Sequence, residues 1–162
     1  MTAADRRAFL AAFAPAIAAL VAGYIALSAF RDYRDNFAAE IWRSLGYGEA
    51  AGVFTASELP VAAISLLALG ALMLVRDNLR ALLAMHGVIA AGFLLVGAST
   101  LAFQAGLVAP IPWMILNGAG VYLAYTPFNA MLFDRLIAFS GRVATAGFLI
   151  YVADACGYVG SV

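Results

Sequence analysis

The residue best placed for chemistry is an aspartate inside a long apolar run near the carboxyl end of the sequence. Asp154 lies twelve residues after Arg142, which is ~18 Å along a helix and close to the middle of a ~30 Å bilayer core. A carboxylate at that depth costs at least ~2.5 kcal/mol, so such residues face a bundle interior and mark ion or substrate pathways. We therefore predict that Asp154 binds a proton or a cation. A structural hydrogen bond to another helix is the alternative.

Polar aromatic residues share a helix face with this aspartate. Tyr151 and Tyr158 lie three residues before and four residues after Asp154, so the three side chains project from one side of a helix. The preceding apolar run carries its own polar face at helical steps, formed by Tyr122, Tyr125 and Asn129. We predict that the two faces line one pathway. The alternative is that the tyrosines are core residues bonded to neighbouring backbone.

Composition leaves little material for soluble chemistry. Hydrophobic residues make up 65% of the chain and charged residues 11%, against roughly 45–50% and 25% in ordinary soluble domains. The formal net charge is zero, which argues against nucleic acid as a partner. A single cysteine and a single histidine exclude a disulfide framework and a cysteine-built metal site. With no catalytic motif present, we predict that the protein is not an enzyme and has no cofactor.

Five apolar stretches are long enough to cross a bilayer, which takes ~20 helical residues. They are 8–30, 55–75, 81–103, 111–133 and 143–162, and the second stretch begins as early as Ala51 if its flank is included. The predicted fold is therefore all-α, a single bundle of about five transmembrane helices in contact with lipid. Pro127 predicts a kink in the fourth helix, because proline removes a backbone hydrogen bond.

Flanking arginines predict the direction of these spans, since Lys and Arg are retained in the cytoplasm. Six of them lie on one side of an alternating topology: Arg6, Arg7, Arg76, Arg80, Arg135 and Arg142. The N-terminus is therefore predicted to be cytoplasmic. The opposite side carries Trp42, Tyr47 and Trp113, whose amphipathic rings suit the headgroup region.

A cleaved twin-arginine export signal is the alternative interpretation of the first apolar run. The run is longer than the 7–15 apolar residues of a signal peptide, which favours a retained helix.

The densest charged stretch follows the first span. Its residues include Arg31, Asp32, Arg34, Asp35 and Glu40. Helical spacing predicts ion pairs between Arg31 and Asp35 and between Glu40 and Arg43, so that the first helix continues through the stretch. It is then either an exposed extension or, in a tilted helix, the lining of an outer vestibule. A docking surface for another protein, in a non-transporting scaffold, is the alternative function.

Two further polar residues have competing interpretations. Glu58 is ~25 Å from the cytoplasmic Arg76 along a helix, and it follows Thr55 at the spacing of a capping box. Capping is the favoured interpretation and a place in the pathway is the alternative. His86 lies six residues after Arg80, and we expect it to pack at shallow depth rather than to bind a metal.

Small residues at helical spacing predict close helix packing, which drives association in lipid. On the first span they are Ala18, Ala22 and Ala26, and on the last span Ala153 and Gly157.

Several strings resemble an uncharacterised bacterial membrane family related to the major facilitator superfamily. They are residues 31–37, 40–42, 133–138 and 147–161. The resemblance implies a bacterial inner-membrane protein of about twelve helices in two halves, with a central site reached by rocking of the halves. This chain is similar to spans seven to eleven of such a protein. We therefore expect a fragment whose partners are an N-terminal half and a final helix.

The leading expectation is secondary transport of an unidentified small solute. Asp154 is the predicted coupling carboxylate. The residues expected to line the path are Tyr122, Tyr125, Asn129, Tyr151, Tyr158 and Glu58.

Overall fold

A computed structural model describes residues 3–48, 51–140 and 146–160, and the regular elements in these ranges are helices. The α-helices are α1 Ala3–Asn36, α2 Ala38–Ser44, α3 Ala51–Met73, α4 Asn78–Gln104, α5 Pro110–Pro127, α6 Phe133–Ser140 and α7 Ala146–Gly160. A π-helical turn, Phe128–Leu132, joins α5 to α6. The predicted all-α class is confirmed for the described residues.

Three of the predicted spans are helices long and apolar enough to cross a membrane. They are Ala4–Asn36, Gly52–Met73 and Asn78–Gln104, while Gly147–Tyr158 is a shorter apolar helix. Leu66, Leu67 and Leu94 are 69%, 74% and 74% exposed. Large apolar side chains that point outward in this way suit a lipid surrounding rather than water. The chain is therefore a membrane protein of helical type.

Helix ends follow from local sequence. Asp77 accepts a hydrogen bond from the Arg80 backbone N–H at 2.8 Å and caps the start of α4, as Asp does at an N-cap. Gly106 follows the end of α4 with a φ of 72°, a conformation that glycine adopts without steric penalty. Pro110 begins α5, where its missing N–H has no partner to lose.

Prolines interrupt two of the helices. Pro127 is the last residue of α5, and a wider π-helical turn follows it. In α1, Phe13 departs from helical geometry at φ −116°, ψ 16°, two residues before Pro15. The break in α1 follows from Pro15, because a proline ring pushes against the carbonyl four residues earlier and removes one hydrogen bond.

The centre of the bundle is α5, which packs against α1, α3 and α4. Two glycines bring α4 and α5 into backbone contact. A Cβ atom built on Gly92 would lie 2.5 Å from the Gly120 carbonyl oxygen, and one built on Gly120 would lie 2.8 Å from the Gly92 carbonyl oxygen. Contact between backbones is the packing mode that lipid favours.

The second packing pair is α1 with α7. Gly157 lies against the Tyr24 ring, since a Cβ atom there would be 2.8 Å from the ring carbon Cε1. Ala153 is also buried, so the predicted contact face of α7 is confirmed. On α1 the prediction is wrong: Ala18, Ala22 and Ala26 are exposed, and Ile17, Tyr24 and Leu27 are buried instead. The contact between α1 and α7 has room for large side chains of α1 because the facing residues of α7, Ala153 and Gly157, are small.

One expected headgroup anchor lies in the core. Trp42 is 0% exposed, and its ring meets Tyr47 edge-on at 5.3 Å. Val53 and Met114 complete this small core. Trp113 stacks on Phe103 at 4.4 Å. The prediction of an interfacial Trp42 is wrong, because its ring is buried in a core with Val53 of α3 and Met114 of α5.

Replacement of Gly92 by alanine should destabilise the bundle by about 1–3 kcal/mol, because the new methyl group cannot avoid the backbone of α5. Unfolding of the protein in mixed micelles, followed by circular dichroism during titration with sodium dodecyl sulfate, measures the change.

Gly87→Ala is the matched control on the same helix, since a Cβ atom at Gly87 meets nothing within 4 Å. It should leave stability unchanged or raise it by up to ~1 kcal/mol through helix propensity. Equal effects of the two substitutions would contradict the proposed backbone contact.

Candidate functional site: a polar pocket between three helices

Asp154 is held by a tyrosine from another helix. The Tyr24 hydroxyl lies 2.6 Å from Asp154 Oδ1, a distance typical of a hydrogen bond to a charged oxygen. Tyr24 is 3% exposed and comes from the middle of α1, while Asp154 comes from α7. The approach is close because Gly157, one turn after Asp154, gives the Tyr24 ring room against α7.

The same hydroxyl joins a third helix to the site. It lies 3.1 Å from the Tyr125 hydroxyl and 3.3 Å from Asn129 Nδ2. A hydroxyl group has one proton to donate, and the short distance to Asp154 takes it. The Tyr24 oxygen therefore accepts from Tyr125 and Asn129. The rings of Tyr24 and Tyr125 also stack, with centroids 5.4 Å apart and planes inclined by 20°.

The π-helical turn delivers Asn129 to this hydroxyl. Asn129 is the second residue of the turn, directly after the break at Pro127. Turns of this kind recur at functional sites because they change the direction of side chains within a helix. Phe128, beside it, packs its ring 5.6 Å from the ring of Tyr24, which fixes the turn against α1.

One turn beyond Ser28, α1 contributes an ion pair to the pocket. Arg31 donates from Nε and Nη2 to Asp32 Oδ1 at 2.9 and 2.6 Å. The guanidinium also lies over the Tyr125 ring, 4.3 Å from its centroid, where the face of the ring attracts a cation. The positive charge of Arg31 is thus balanced by a carboxylate on its own helix.

These residues surround a cavity of about 350 Å³. Its lining is mostly polar and is formed by Tyr24, Ser28, Arg31, Asp32, Tyr125, Asn129, Asp154, Gly157 and Tyr158. We call this cavity the polar pocket.

The polar pocket gathers part of the predicted site. Asp154, Tyr125, Asn129 and Tyr158 line it together with Arg31 and Asp32. Tyr151 is 77% exposed and lies outside the lining. Tyr151, Asp154 and Tyr158 project from one broad side of α7. Because α1 covers only one edge of that side, Asp154 and Tyr158 reach the polar pocket and Tyr151 does not.

Tyr122 and Glu58 lie in a second cluster, nearer the end of α1. Arg34 donates to Glu58 Oε1 at 2.6 Å and to Asp35 Oδ1 at 3.1 Å. The Tyr122 hydroxyl donates to Asp35 Oδ2 at 2.8 Å. Arg34 itself is 3% exposed and lies against Gly118, where a Cβ atom would be 2.5 Å from Nη2. Glycine at that position makes space for the guanidinium.

Three local predictions about charged residues are wrong. Glu58 lies within α3, well after its start at Ala51, and bonds Arg34, so it does not cap the helix. Arg31 pairs with the adjacent Asp32 rather than with Asp35, which Arg34 and Tyr122 occupy. Within the described part of the chain, no ion pair joins Glu40 to Arg43. In the case of Glu58, a contact with the buried Arg34 of another helix takes the place of the cap.

Within the described ranges no three side chains of His, Cys, Asp or Glu are grouped to hold a metal ion. His86 is exposed, and its Nδ1 lies 2.8 Å from the Leu82 carbonyl oxygen one turn earlier.

Sequence reasoning missed the residue at the centre of the site. Tyr24 was not among the candidates, nor was Ser28. A signal was present, because Tyr24, Ser28, Arg31 and Asp35 follow one another at steps of four, three and four residues. That spacing places the four side chains on one face of a helix. The face is polar, although it begins inside the first apolar run.

Fold and site together define an all-α membrane protein with a polar pocket between its helices. A family model described as "Family of unknown function (DUF5690)" matches residues 1–162. The chain belongs to this family. No curated protein and no solved structure matches it.

Removal of the central hydroxyl in Tyr24→Phe should destabilise the bundle by about 1–2 kcal/mol, because Asp154, Tyr125 and Asn129 each lose a partner while the ring stacking stays. Titration with sodium dodecyl sulfate measures the change. Tyr151→Phe removes an exposed hydroxyl and is the control, which should change stability by less than ~0.5 kcal/mol. A loss of the same size in both variants would argue against the role given to Tyr24.

Glu58→Gln should lower stability by about 1 kcal/mol, because the buried Arg34 then keeps only Asp35 as a charged partner. The effect is smaller than for a fully buried pair, since the Glu58 side chain is 44% exposed. Glu40→Gln, at an exposed position of α2, should leave the same unfolding curve in place. An unchanged midpoint for Glu58→Gln would show that Asp35 alone satisfies Arg34.

Proposed function

We propose that the protein is part of a secondary transporter in which the polar pocket binds a small solute and Asp154 couples its movement to protons. The observation that carries the proposal is the hydrogen bond between Asp154 and Tyr24 inside a polar cavity between three apolar helices. An ionisable group in that setting is expensive, and transporters use such groups to bind and release protons.

The contacts of Asp154 suit a group that changes protonation. Oδ1 accepts from Tyr24, and the described residues supply no hydrogen-bond donor to Oδ2. A proton on Oδ2 would remove the charge from the apolar bundle and leave the Tyr24 contact in place.

Contacts near the helix ends support the orientation predicted for the chain in the membrane. Arg6 lies 5.7 Å from the centroid of the Phe148 ring, so the first turns of α1 and α7 are at the same end of the bundle. Arg135 donates to Asn78 Oδ1 at 2.8 Å, which brings α6 to the start of α4. These arginines share one end, which we propose to be the cytoplasmic end in a bacterial inner membrane.

The relation to the major facilitator superfamily is also part of the proposal. It would make this bundle of about five spans a portion of one six-helix half, with the polar pocket near the boundary between halves. Tyr158 is 74% exposed beside the pocket, and Asn129 is exposed as well. Polar groups at this depth avoid lipid, so we expect another helical unit or water to cover them.

The scaffold alternative has less support. It requires the charged segment 31–43 to offer its charges to another protein. Arg31 and Asp32 bond each other within the polar pocket, and Arg34 bonds Glu58 and Asp35. These charges form ion pairs inside the protein and are not offered to a partner. The exposed Glu40 is by itself too small a feature to define a docking surface.

Exchange of Asp154 for asparagine tests the coupling role. In liposomes that contain the protein and a pH-sensitive dye, solutes that move protons are first identified with the wild type. Asp154→Asn should abolish this solute-driven proton movement, because asparagine has the same shape and no proton to exchange.

Asp134→Asn, an exposed acidic position on α6, is the control and should behave as the wild type. Undiminished proton movement in Asp154→Asn would remove the coupling role from this residue.

A further inference from the structure

We infer that the solute of the polar pocket is a small organic cation, a hydroxylated amine, which is exchanged for the proton on Asp154. This inference rests on the proposed transport function and names its substrate class. It comes from the balance of charge in the pocket, from the donors and acceptors that remain free, and from the size of the cavity.

The charge balance of the lining is negative. Three side chains that can carry a full charge line the pocket: Arg31, Asp32 and Asp154. Arg31 and Asp32 neutralise each other through two hydrogen bonds. Asp154 has a tyrosine hydroxyl as its partner, which stabilises the carboxylate without cancelling its charge. A ligand with one positive charge therefore completes the pocket, and an anion does not.

The aromatic rings that line the pocket also favour a cation. Tyr24 and Tyr125 stack with each other, and the exposed ring of Tyr158 lies on the same lining. Aromatic faces attract ammonium groups by their negative quadrupole. Arg31 already covers the face of Tyr125 in this way, so the exposed ring of Tyr158 remains for the ligand.

The remaining polar groups favour hydroxyl functions on the ligand. Ser28 and Asn129 line the pocket. The Ser28 hydroxyl donates and accepts hydrogen bonds, and the Asn129 amide has a second N–H beside the one that Tyr24 accepts. The volume of about 350 Å³ lies at the lower end of the range of about 300–1,000 Å³ for ligand sites. A small amine with one or a few hydroxyl groups fits these two conditions.

A zwitterion such as an amino acid fits less well. Its carboxylate would need a free cation, and Arg31 donates to Asp32 from both Nε and Nη2. Breaking that pair would cost the pocket an ion pair and would place the incoming carboxylate beside the carboxylate of Asp32. The arrangement therefore selects against anionic groups near the ammonium site.

Exchange follows because the proton and the ligand ammonium group bind to the same carboxylate, that of Asp154. In one state a proton occupies Asp154, and the carboxyl group is neutral. Arrival of an alkylammonium ion displaces that proton, which leaves as H⁺, and the carboxylate accepts N–H hydrogen bonds from the ligand. No electrons move, and charge is conserved at the site. The other titratable or charged groups that line the pocket with Asp154 are Tyr24, Arg31, Asp32, Tyr125 and Tyr158. Asp32 is held by Arg31, Tyr24 donates to Asp154 and Tyr125 donates to Tyr24.

Calorimetry on the detergent-solubilised protein tests the inference. Ethanolamine is the cationic probe, glycine the zwitterionic one and ethylene glycol the neutral one. Titration in two buffers of different ionisation enthalpy counts the protons released. We expect saturable binding of ethanolamine with release of up to one proton, and at least tenfold weaker binding of glycine and ethylene glycol.

Asp154→Asn should weaken ethanolamine binding at least tenfold and abolish proton release, while Asp134→Asn keeps both. Circular dichroism shows whether each variant is folded, and the probe series on the wild type stands without the variants. Equal binding of glycine or ethylene glycol overturns the inference, and so does absence of ethanolamine binding or binding without proton release.

The liposome experiment separates this inference from the proposed function. If another class of solute drives proton movement through Asp154 and ethanolamine does not bind, transport stands and the amine is wrong. If ethanolamine binds with proton release and no solute moves protons across the membrane, the cation site stands and transport is wrong.

Discussion

The hydrogen bond from Tyr24 to Asp154 is the contact on which the described arrangement depends. It places a carboxylate among apolar helices with one oxygen satisfied at 2.6 Å. Such a partner lowers the cost of placing an ionisable group among apolar helices. Because Tyr24 also accepts from Tyr125 and Asn129, the same oxygen fixes α1 against both α7 and the π-helical turn.

Most polar contacts of the bundle lie along α1 and α5, which run in opposite directions. From the middle of α1 to its end, Tyr24 meets Tyr125, Arg31 covers the Tyr125 ring, and Asp35 meets Tyr122. Lipid supplies no hydrogen bonds, so each of these groups has to find its partner on another helix. The result is two neighbouring clusters, one around Asp154 and one around Arg34.

Glycine makes these contacts possible at three points. Gly157 admits the Tyr24 ring, Gly118 admits the Arg34 guanidinium, and Gly92 meets Gly120 across the central helix pair. In each case a single added carbon would collide with backbone, with a ring or with a charged group. Close approach of helices is what dispersion forces reward in a membrane, where apolar burial gives no net gain.

The sequence by itself determined the class of this protein and the residue of interest. Apolar runs of spanning length can only be helices in lipid, and an aspartate within such a run stands out by its cost alone. Helical spacing also identified Tyr125, Asn129 and Tyr158 as neighbours of that aspartate. These inferences depend on local composition and on the period of the helix, which do not need the fold.

Tertiary structure decided which helices meet and therefore which partners the polar groups take. Spacing grouped Tyr122 with Tyr125, yet their hydroxyls bond to Asp35 and to Tyr24. Spacing made Glu58 a cap and paired Arg31 with Asp35, whereas Arg34 takes Glu58. Spacing describes one helix at a time, and the partner of a polar side chain in lipid is decided by the neighbouring helix. Tyr24 became the centre of the site for the same reason, since its importance lies entirely in what α5 and α7 bring to it.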